Sequence, residues 1–281
     1  MRCINNLFGL LLLALPLAAQ AGLPASSSVP GGVAVIPLGG DVKKDPAPEA
    51  WLGKHRVLVA PDHGEWYAVV GVPLDTKPGE QQLQVSTGGA SRSLAFDVGP
   101  KAYPEQHITL KSKRKVDLSP KDLKRALREI AQIKALKLHW RDTPRTDLDF
   151  IEPVDGQMGS AFGLRRFFNG EARSPHSGID LVVPSDTPVK AAGQGQVLAV
   201  GDYFFNGKTV FVDHGDGLIT MYCHLSHIEV KPGEKVGKGQ EIARSGMTGR
   251  ATGPHLHWSV VLNGAMVDPA LFLPGQKYAR Q

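Results

Sequence analysis

Short strand-like segments separated by turn-forming residues recur along two stretches of this sequence, and they favour a mainly β fold. The first stretch contains R-V-L-V-A, W-Y-A-V-V-G-V, Q-Q-L-Q-V, R-S-L-A-F-D-V and H-I-T-L-K, with turns such as P-D-H-G, K-P-G-E and S-T-G-G between them. Strands at this spacing are typical of a small antiparallel β-sandwich. We predict such a domain over residues 34–110, after a flexible leader at residues 22–33. It contains no catalytic constellation, and we interpret Asp62 and His63 as turn residues.

The second stretch is richer in glycine and predicts another all-β domain, over residues 151–273, followed by a tail at residues 274–281. Its strand-like segments include I-D-L-V-V-P, G-Q-V-L-A-V-G, K-T-V-F-V-D-H, I-T-M-Y-C-H-L and W-S-V-V-L. The glycine pair in G-Q-G-Q-V is not a nucleotide-binding loop, because a strand rather than a helix follows it.

One basic helix is predicted between the two domains, within a linker at residues 111–150. Ser119 is suited to the N-cap, Pro120 to the first helical position, and Asp122 to the first turn. An apolar stripe at helical spacing follows, formed by Leu123, Leu127, Ile130 and Leu136. Residues 111–141 contain eleven Lys or Arg and three acids, a local charge of +8. The charge indicates either a solvated helix face or a surface that attracts an anionic polymer or membrane.

The first 21 residues have the pattern of a secretory signal peptide. Arg2 gives a positive start, an apolar core runs from Leu7 to Ala18, and A-Q-A fits cleavage after Ala21. The core is too short to span a membrane, and no cysteine follows the cut. We therefore expect an exported, soluble, periplasmic protein with no membrane span. Only Cys223 remains after cleavage, so no internal disulfide is expected. An exported chain whose basic segment has no face on which aromatic and basic residues alternate is also a poor partner for nucleic acid.

Two histidine motifs indicate a metal site. In G-P-H-L-H-W-S-V-V, strand alternation places His255 and His257 on the same face. In S-P-H-S-G-I-D, His176 and Asp180 are four residues apart, which in a flat strand is about 13 Å and too far to share an ion. The chain must therefore bend at Ser177–Gly178. His176, Asp180 and one nitrogen of the histidine pair would then leave a fourth position open, as in catalytic zinc sites.

With the segments around them, these motifs closely resemble the lysostaphin-like (LytM-type) zinc endopeptidases that cut peptidoglycan peptides. The resemblance spans about residues 155–273 and rests on S-A-F-G-L-R, H-S-G-I-D, S-D-T-P-V-K-A, V-D-H-G-D-G, Y-C-H-L-S, V-K-P-G-E-K-V-G-K-G-Q, G-M-T-G-R-A-T-G-P-H-L-H and V-D-P. It implies one zinc ion per chain, held by His176, Asp180 and His257. It also implies that His224 and His255 are a catalytic pair acting on water and on the transition state.

The resemblance implies an exported zinc endopeptidase that hydrolyses the cross-links between peptidoglycan stem peptides, with D-alanyl-diamino acid bonds favoured over Gly-Gly bridges. One alternative is a non-catalytic relative that binds peptidoglycan and activates another hydrolase, although such relatives typically lack ligands that this chain has. Another is a zinc protease of glycine-rich proteins. The N-terminal domain could dock on the groove as an inhibitor, bind glycan, or only space the enzyme from a regulatory partner. The sequence does not specify the oligomeric state.

Four further features of the second domain concern the surroundings of the site. Strand alternation predicts that Cys223 faces away from His224 and is a small buried residue rather than a ligand. His214 and His227 are predicted to lie in turns, outside the site. The segment Tyr203–Lys208 either lines the substrate groove, as a loop does in the family, or caps the β core with its two phenylalanines.

Overall fold

The computed structural model describes residues 22–108, 118–168 and 170–276, and over these residues the chain is mainly β, as predicted. The predicted signal peptide lies outside the described residues, as does most of the predicted C-terminal tail. In the part of the chain that is described, no helix is both long enough and apolar enough to cross a membrane.

Six antiparallel strands form the N-terminal domain: β1 (Val33–Gly39), β2 (Glu49–Leu52), β3 (His55–Asp62), β4 (Glu65–Gly71), β5 (Gly79–Thr87) and β6 (Ala90–Val98). They make one sheet in the order β1-β4-β3-β2-β5-β6. Every strand contributes to one core, which includes Ile36, Ala50, Val57, Val70, Leu83 and Val98. The sheet therefore curls around this core like a barrel. Asp62 and His63 lie at the β3–β4 turn, as predicted.

The prediction of a flexible leader at residues 22–33 is wrong. Ser27 forms a β-bridge with Val33, and the Ala25 N–H donates to the Leu271 carbonyl at 2.8 Å. Leu23 and Ala25 pack against the core of the C-terminal domain. Their apolar side chains outweigh the turn-forming composition of the segment, so the leader is held along the domain surface.

The remaining strands build the C-terminal domain: β8 (Gln157–Ser160), β9 (Arg165–Phe168), β10 (Glu171–Ala172), β11 (Ile179–Val182), β12 (Pro188–Lys190), β13 (Gly195–Tyr203), β14 (Gly207–Gly215), β15 (Leu218–Leu225), β16 (His227–Ile228), β17 (Lys235–Val236), β18 (Glu241–Arg244), β19 (Leu256–Leu262) and β20 (Ala265–Val267). The main sheet has the order β17-β13-β14-β15-β19-β11-β8, with β20 beside β19, and β12-β18-β16 form a small sheet. Short 3-10 turns follow at Pro269–Phe272 and Pro274–Gln276.

The segment H-I-T-L-K was predicted to end the N-terminal domain, but its strand pairs elsewhere. β7 (Glu105–Ile108) lies parallel to β9 and joins the three-stranded sheet β10-β9-β7. Glu105 forms an ion pair with Arg165 at 2.9 Å, and the His107 ring stacks on Phe167 with centroids 4.5 Å apart. These contacts with its neighbour, rather than its own alternation, decide where this strand pairs.

The two domains share a hydrophobic core. Leu58, Ala60 and Val69 of the N-terminal sheet belong to the same buried cluster as Trp258 and Leu262 of β19. A polar contact supports this junction, because the Asn263 amide both accepts from the Gly71 N–H at 2.6 Å and donates to the Gly71 carbonyl at 3.0 Å. The N-terminal domain is therefore packed onto the β19–β20 hairpin rather than tethered to it.

Replacing Asn263 with glycine is expected to lower the free energy of unfolding by about 2–4 kcal/mol, because two buried backbone groups of Gly71 lose their partners. Asn263 has φ +43°, which glycine also adopts, so the substitution tests the hydrogen bonds and not the turn. Urea denaturation measures the difference. The control is His63→Gly, at an exposed turn position with φ +46°. Equal effects of the two substitutions would contradict the structural role of the Asn263 amide.

The helix between the domains, α1 (Pro120–Lys137), begins as predicted. The Ser119 hydroxyl accepts from the Asp122 N–H at 3.1 Å and caps the first turn. Ile133 and Leu136 pack against the apolar cluster on the main sheet. The C-terminal half of the helix is thus attached to the C-terminal domain by apolar contacts.

The predicted apolar stripe of α1 is only partly used for packing. Leu123, Leu127 and Ile130 are 47%, 58% and 49% exposed. Glu129 is buried instead, and its carboxylate binds Arg125 at 2.7 Å and accepts from the Phe204 N–H at 2.6 Å. This polar anchor orients the helix so that Leu123, Leu127 and Ile130 stay exposed. The helical spacing alone does not predict this orientation.

Candidate metal centre

Three donor atoms converge beside the end of strand β19. His176 Nε2 lies 3.0 Å from both Asp180 Oδ1 and His257 Nδ1, and the last two atoms are 2.9 Å apart. Asp180 and His257 are directly opposite each other on the paired strands β11 and β19. His176 comes from the loop before β11. These residues are the ones that the sequence analysis assigned to the metal, and they form a cluster that could hold an ion.

Gly178 allows the chain to bend between His176 and Asp180. A Cβ atom at this position would lie 2.4 Å from both the Trp258 carbonyl and the Ser259 hydroxyl. No side chain fits there, so only glycine lets the loop pass close enough to β19. The bend predicted at Ser177–Gly178 is therefore present, and it brings His176 to Asp180.

Hydrogen bonds on the outer sides of the rings make the cluster suitable for a metal ion. His176 Nδ1 donates to the Ala161 carbonyl at 2.8 Å, so Nε2 keeps its lone pair. His257 Nε2 lies 2.9 Å from the Ser259 hydroxyl, which leaves Nδ1 facing the cluster. Burial alone would raise the pKa of Asp180, but His176 and His257 lower it well below its usual range. Two imidazole nitrogens and a carboxylate match a transition-metal site.

His224 and His255 form a second pair beside these donors, with ring centroids 4.7 Å apart. His224 Nδ1 contacts the Thr248 carbonyl at 2.9 Å, and His255 Nδ1 contacts the Gly253 carbonyl at 2.8 Å. A carbonyl only accepts, so in each neutral ring Nδ1 carries the proton and Nε2 the lone pair. His255 Nε2 lies 3.7 Å from Asp180 Oδ1. Both rings can therefore take up a proton next to the metal ligands.

The environment of His224 keeps it neutral at pH 7. Burial, together with the nearby His257 and His255, lowers its pKa from 6.5 to about 4. A neutral imidazole at this position is a proton acceptor.

Cys223 is buried, as predicted, but the side chains of Cys223 and His224 do not alternate between the two faces of the sheet as predicted. Cys223 is directly opposite the ligand His257 on the adjacent strand, so the two share a face of the sheet. His224 has φ +61°, which breaks the alternation and turns its ring toward the same site. Burial raises the pKa of the Cys223 thiol to about 11, and Asn206 donates to its sulfur at 3.3 Å. The protonated thiol supports the floor of the site and is not a ligand.

His214 and His227 lie outside the site. The prediction that both are in turns is wrong, because His214 is in β14 and His227 in β16. His214 is buried, and its two ring nitrogens contact the Gln194 carbonyl at 2.7 Å and the Thr220 hydroxyl at 2.8 Å. Its position in V-D-H-G-D-G is therefore explained by a buried hydrogen-bond network.

The stability of the protein is expected to fall as the pH drops from about 6.5 to 4, because burial lowers the pKa of His214 from 6.5 to about 4. The unfolded chain binds the proton first in this range, so acid favours unfolding, by up to about 3 kcal/mol. Urea denaturation at pH 7, 5.5 and 4.5 measures the effect. The His214→Gln variant should be less stable than the wild type at pH 7, but its free energy of unfolding should fall by less between pH 7 and pH 4.5. An equal fall in the free energy of unfolding with pH for the wild type and for His214→Gln would contradict the attribution of this pH dependence to His214.

The donor cluster and the histidine pair lie in a groove of about 1620 Å³. Phe205 and Asn206, from the β13–β14 turn, form part of one wall, together with Leu123 and Ile130 of α1. Phe204 instead faces the helix, where its ring lies 5.9 Å from the Arg125 guanidinium. The segment Tyr203–Lys208 thus both lines the groove and packs against α1.

Three arginines in the wall of this groove were not singled out from the sequence. Arg166, Arg173 and Arg250 come from β9, from the segment after β10, and from the loop before β19. The available signal lay in two of the recognised motifs, because Arg166 directly follows S-A-F-G-L-R and Arg250 lies within G-M-T-G-R-A-T-G-P-H-L-H.

Comparisons with known proteins agree with this geometry. The model of peptidase family M23 matches residues 174–269, and that of the peptidase family M23 N-terminal domain matches residues 26–101. The crystal structure of a Pseudomonas aeruginosa protein assigned to peptidase M23 is 45% identical in sequence. It aligns over 88% of this chain and 95% of that one, with a TM-score of 0.75.

Curated relatives align mainly with the C-terminal domain. The peptidoglycan DD-endopeptidase ShyA of Vibrio cholerae is 42% identical over 119 residues, which cover 41% of this chain and 28% of that protein. The DD-carboxypeptidase/endopeptidase Mpg of Neisseria meningitidis is 38% identical over 120 residues, 42% of this chain and 28% of that protein. The aligned region thus spans less than a third of either relative.

Proposed function

Because this chain belongs to peptidase family M23, we propose that it is an exported, zinc-dependent endopeptidase that hydrolyses the peptide cross-links of peptidoglycan. The observation that carries the proposal is the convergence of His176, Asp180 and His257, with the pair His224 and His255 beside them in an open groove. A set of three protein ligands with room for a fourth is the pattern of catalytic zinc. The predicted signal peptide supports a periplasmic location.

Three of these residues would hold the zinc ion, one per chain: His176 through Nε2, Asp180 through Oδ1 and His257 through Nδ1. When bound, zinc supplies Lewis acidity, which polarises the scissile carbonyl and makes a water molecule acidic enough to react near neutral pH. Tight binding of zinc by these three residues requires that the two imidazoles are neutral and the carboxylate is ionised. The low pKa of Asp180 and the lowered pKa of the buried His257 support both requirements.

The two remaining histidines would move protons. With Nδ1 held by a backbone carbonyl, each ring presents Nε2 to the groove, where it can accept the proton of the attacking water. The resulting imidazolium can stabilise the developing oxyanion or pass the proton to the leaving amine. His255 Nε2 lies 3.7 Å from Asp180 Oδ1, and the His224 ring, from β15, has its centroid 4.7 Å from that of His255 and 6.0 Å from that of His257.

The bond proposed to be cut is that between D-alanine and a diamino acid, and the names of the relatives support this. ShyA and two further Vibrio cholerae relatives are DD-endopeptidases. Peptidoglycan stem peptides are accordingly the proposed partners. Lys54 and His55 of the N-terminal domain, where β3 begins, line the groove, so we propose that this domain restricts which peptides enter.

Incubation of the exported chain with cross-linked muropeptides, with product masses read by mass spectrometry, tests the proposal. Cleavage is expected at the D-alanyl-diamino acid bond, with loss of activity after chelation and recovery when zinc is returned. A Gly-Gly bridged peptide run in parallel distinguishes the two bond types. Binding of muropeptides without cleavage, in protein that contains zinc, would instead indicate a non-catalytic activator.

A further inference from the structure

The wall of the groove next to the donor cluster contains an arginine cluster, which consists of Arg166, Arg173 and Arg250. All three side chains line the same groove, and partial burial, together with the charges of Arg173 and Arg166, lowers the pKa of Arg250. Like charges brought together in this way destabilise each other unless an anion lies between them.

Among the described residues that line the groove, Asp180 is the only one with a negative charge. The charged residues that line the groove are Lys54, Lys134, Lys137, Arg166, Arg173 and Arg250 on the positive side, and Asp180 alone on the negative side. Arg173 also pairs with Glu171 at 2.8 Å. Within the described part of the chain, no carboxylate lies within ion-pair distance of Arg166 or Arg250. The groove therefore presents a concentrated positive potential to whatever enters it.

Arg250 is held in a defined position beside the histidine pair. The Arg250 guanidinium lies 4.4 Å from the centre of the Phe205 ring, and the backbone N–H of Arg250 donates to the Phe205 carbonyl at 3.0 Å. It belongs to the loop whose Thr248 and Gly253 carbonyls hold the rings of the histidine pair. A group bound by Arg250 would consequently lie close to the reacting atoms.

Arg166, on strand β9, is held in position by two side-chain hydrogen bonds. It donates through Nη2 to the Ser160 hydroxyl at 2.9 Å and through Nε to the Gln106 side chain at 3.3 Å. Ser160 is the register partner of the ligand Asp180 in the β8–β11 pair. Two arginines whose guanidinium groups contact neutral groups, Arg166 the Ser160 hydroxyl and Arg250 the Phe205 ring, thus line the groove that holds the proposed metal ligands.

We propose that the arginine cluster binds a free carboxylate of the substrate, on the residue next to the bond that is cut. This inference rests on the proposed function and specifies its substrate further. Guanidinium groups match the planar geometry of a carboxylate and bind it through paired hydrogen bonds. Where the linked amine of the diamino acid is on a carbon that also carries a carboxyl group, the cross-link keeps a free carboxylate beside the amide, whereas an internal Gly-Gly bridge has none. The arginine cluster would therefore select the first kind of cross-link.

The test compares two synthetic cross-linked peptides that differ only in whether the carboxylate of the diamino residue is free or amidated. The wild-type protein is expected to cleave the free acid with a kcat/KM about 10–100-fold higher than the amide, the range for hydrogen bonds to a charged group. Arg250→Gln should reduce this ratio to nearly one. Arg250→Lys keeps the charge but loses the paired geometry, and should give an intermediate ratio.

Lys231→Gln is the matched control, because it removes one positive charge from an exposed position outside the groove. It should leave the acid-to-amide ratio unchanged. A wild-type protein that cleaves both peptides at equal rates would overturn the inference and leave the proposed function intact. Cleavage of neither peptide by the zinc-loaded protein would overturn the proposed function, and the inference with it. A ratio that persists in both Arg250→Gln and Arg166→Gln would also overturn the role of the arginine cluster.

Discussion

Replacing His257 with alanine is expected to remove the metal ion and to lower endopeptidase activity by on the order of 10⁴-fold or more. His257 Nδ1 is one of only three donor atoms in the cluster, and Asp180 and His176 alone leave too few ligands for tight binding. The loss would also leave the half-buried Asp180 carboxylate without its 2.9 Å contact to the His257 ring. Zinc content per chain, measured by elemental analysis, and turnover of a cross-linked peptide give the two readouts.

The matched control for this change is His255→Ala, two residues earlier in the chain. His255 lies 3.7 Å from the Asp180 carboxylate and is not one of the converging donors, so zinc should stay bound. His227→Ala, at an exposed position in β16, controls for a general loss of stability. Zinc retained by His257→Ala but lost from His255→Ala would reverse the ligand assignment.

The candidate site was predictable from sequence because its parts follow local rules. Alternation in a strand places His255 and His257 on the same side, and the four-residue spacing of His176 and Asp180 requires a bend, which Gly178 provides. The resemblance to a known family then identified His224, which lies on another strand. Its ring reaches the site through a positive φ that alternation does not predict.

The parts of the fold that sequence reasoning missed depend on contacts between distant segments. The leader is held through Ala25 and Leu271, which are far apart in the chain. The helix stripe at Leu123 and Ile130 is left exposed because the buried Glu129 anchors the helix to the β13–β14 turn. Helical periodicity reports which residues share a face, but not which face the rest of the protein covers. Tertiary packing decides the second question.

The arginine cluster was also missed from the sequence, because it too is formed by residues from distant segments. Arg166 and Arg250 are 84 positions apart in the sequence. They meet because β9, the segment after β10 and the loop before β19 border one groove. Arg250 lies within a motif that identifies the chemistry, but the motif alone does not show that its side chain lines the substrate groove, because that depends on how distant segments pack.

Replacing His224 or His255 with alanine is expected to lower kcat by about 10²–10⁴-fold, with zinc content and KM close to wild type. Neither ring is a donor in the metal cluster, and each presents Nε2 to the groove because a backbone carbonyl holds its Nδ1. Since the rings lie 4.7 Å apart, they are expected to act on the same proton transfers as one unit. The double variant should then be little worse than either single variant.

Kinetics on a soluble cross-linked peptide, paired with metal analysis of the same samples, decide between this shared role and two separate ones. Additive losses in the double variant would indicate independent contributions. Near-wild-type turnover of His224→Ala would leave His255 as the sole acid and base, which its shorter distance to the Asp180 carboxylate would then explain. His224→Gln separates position from chemistry, because it retains a polar side chain that can reach the Thr248 carbonyl but cannot take up a proton. Under the shared role it is therefore as slow as His224→Ala, whereas a purely structural role for His224 would let glutamine restore the rate.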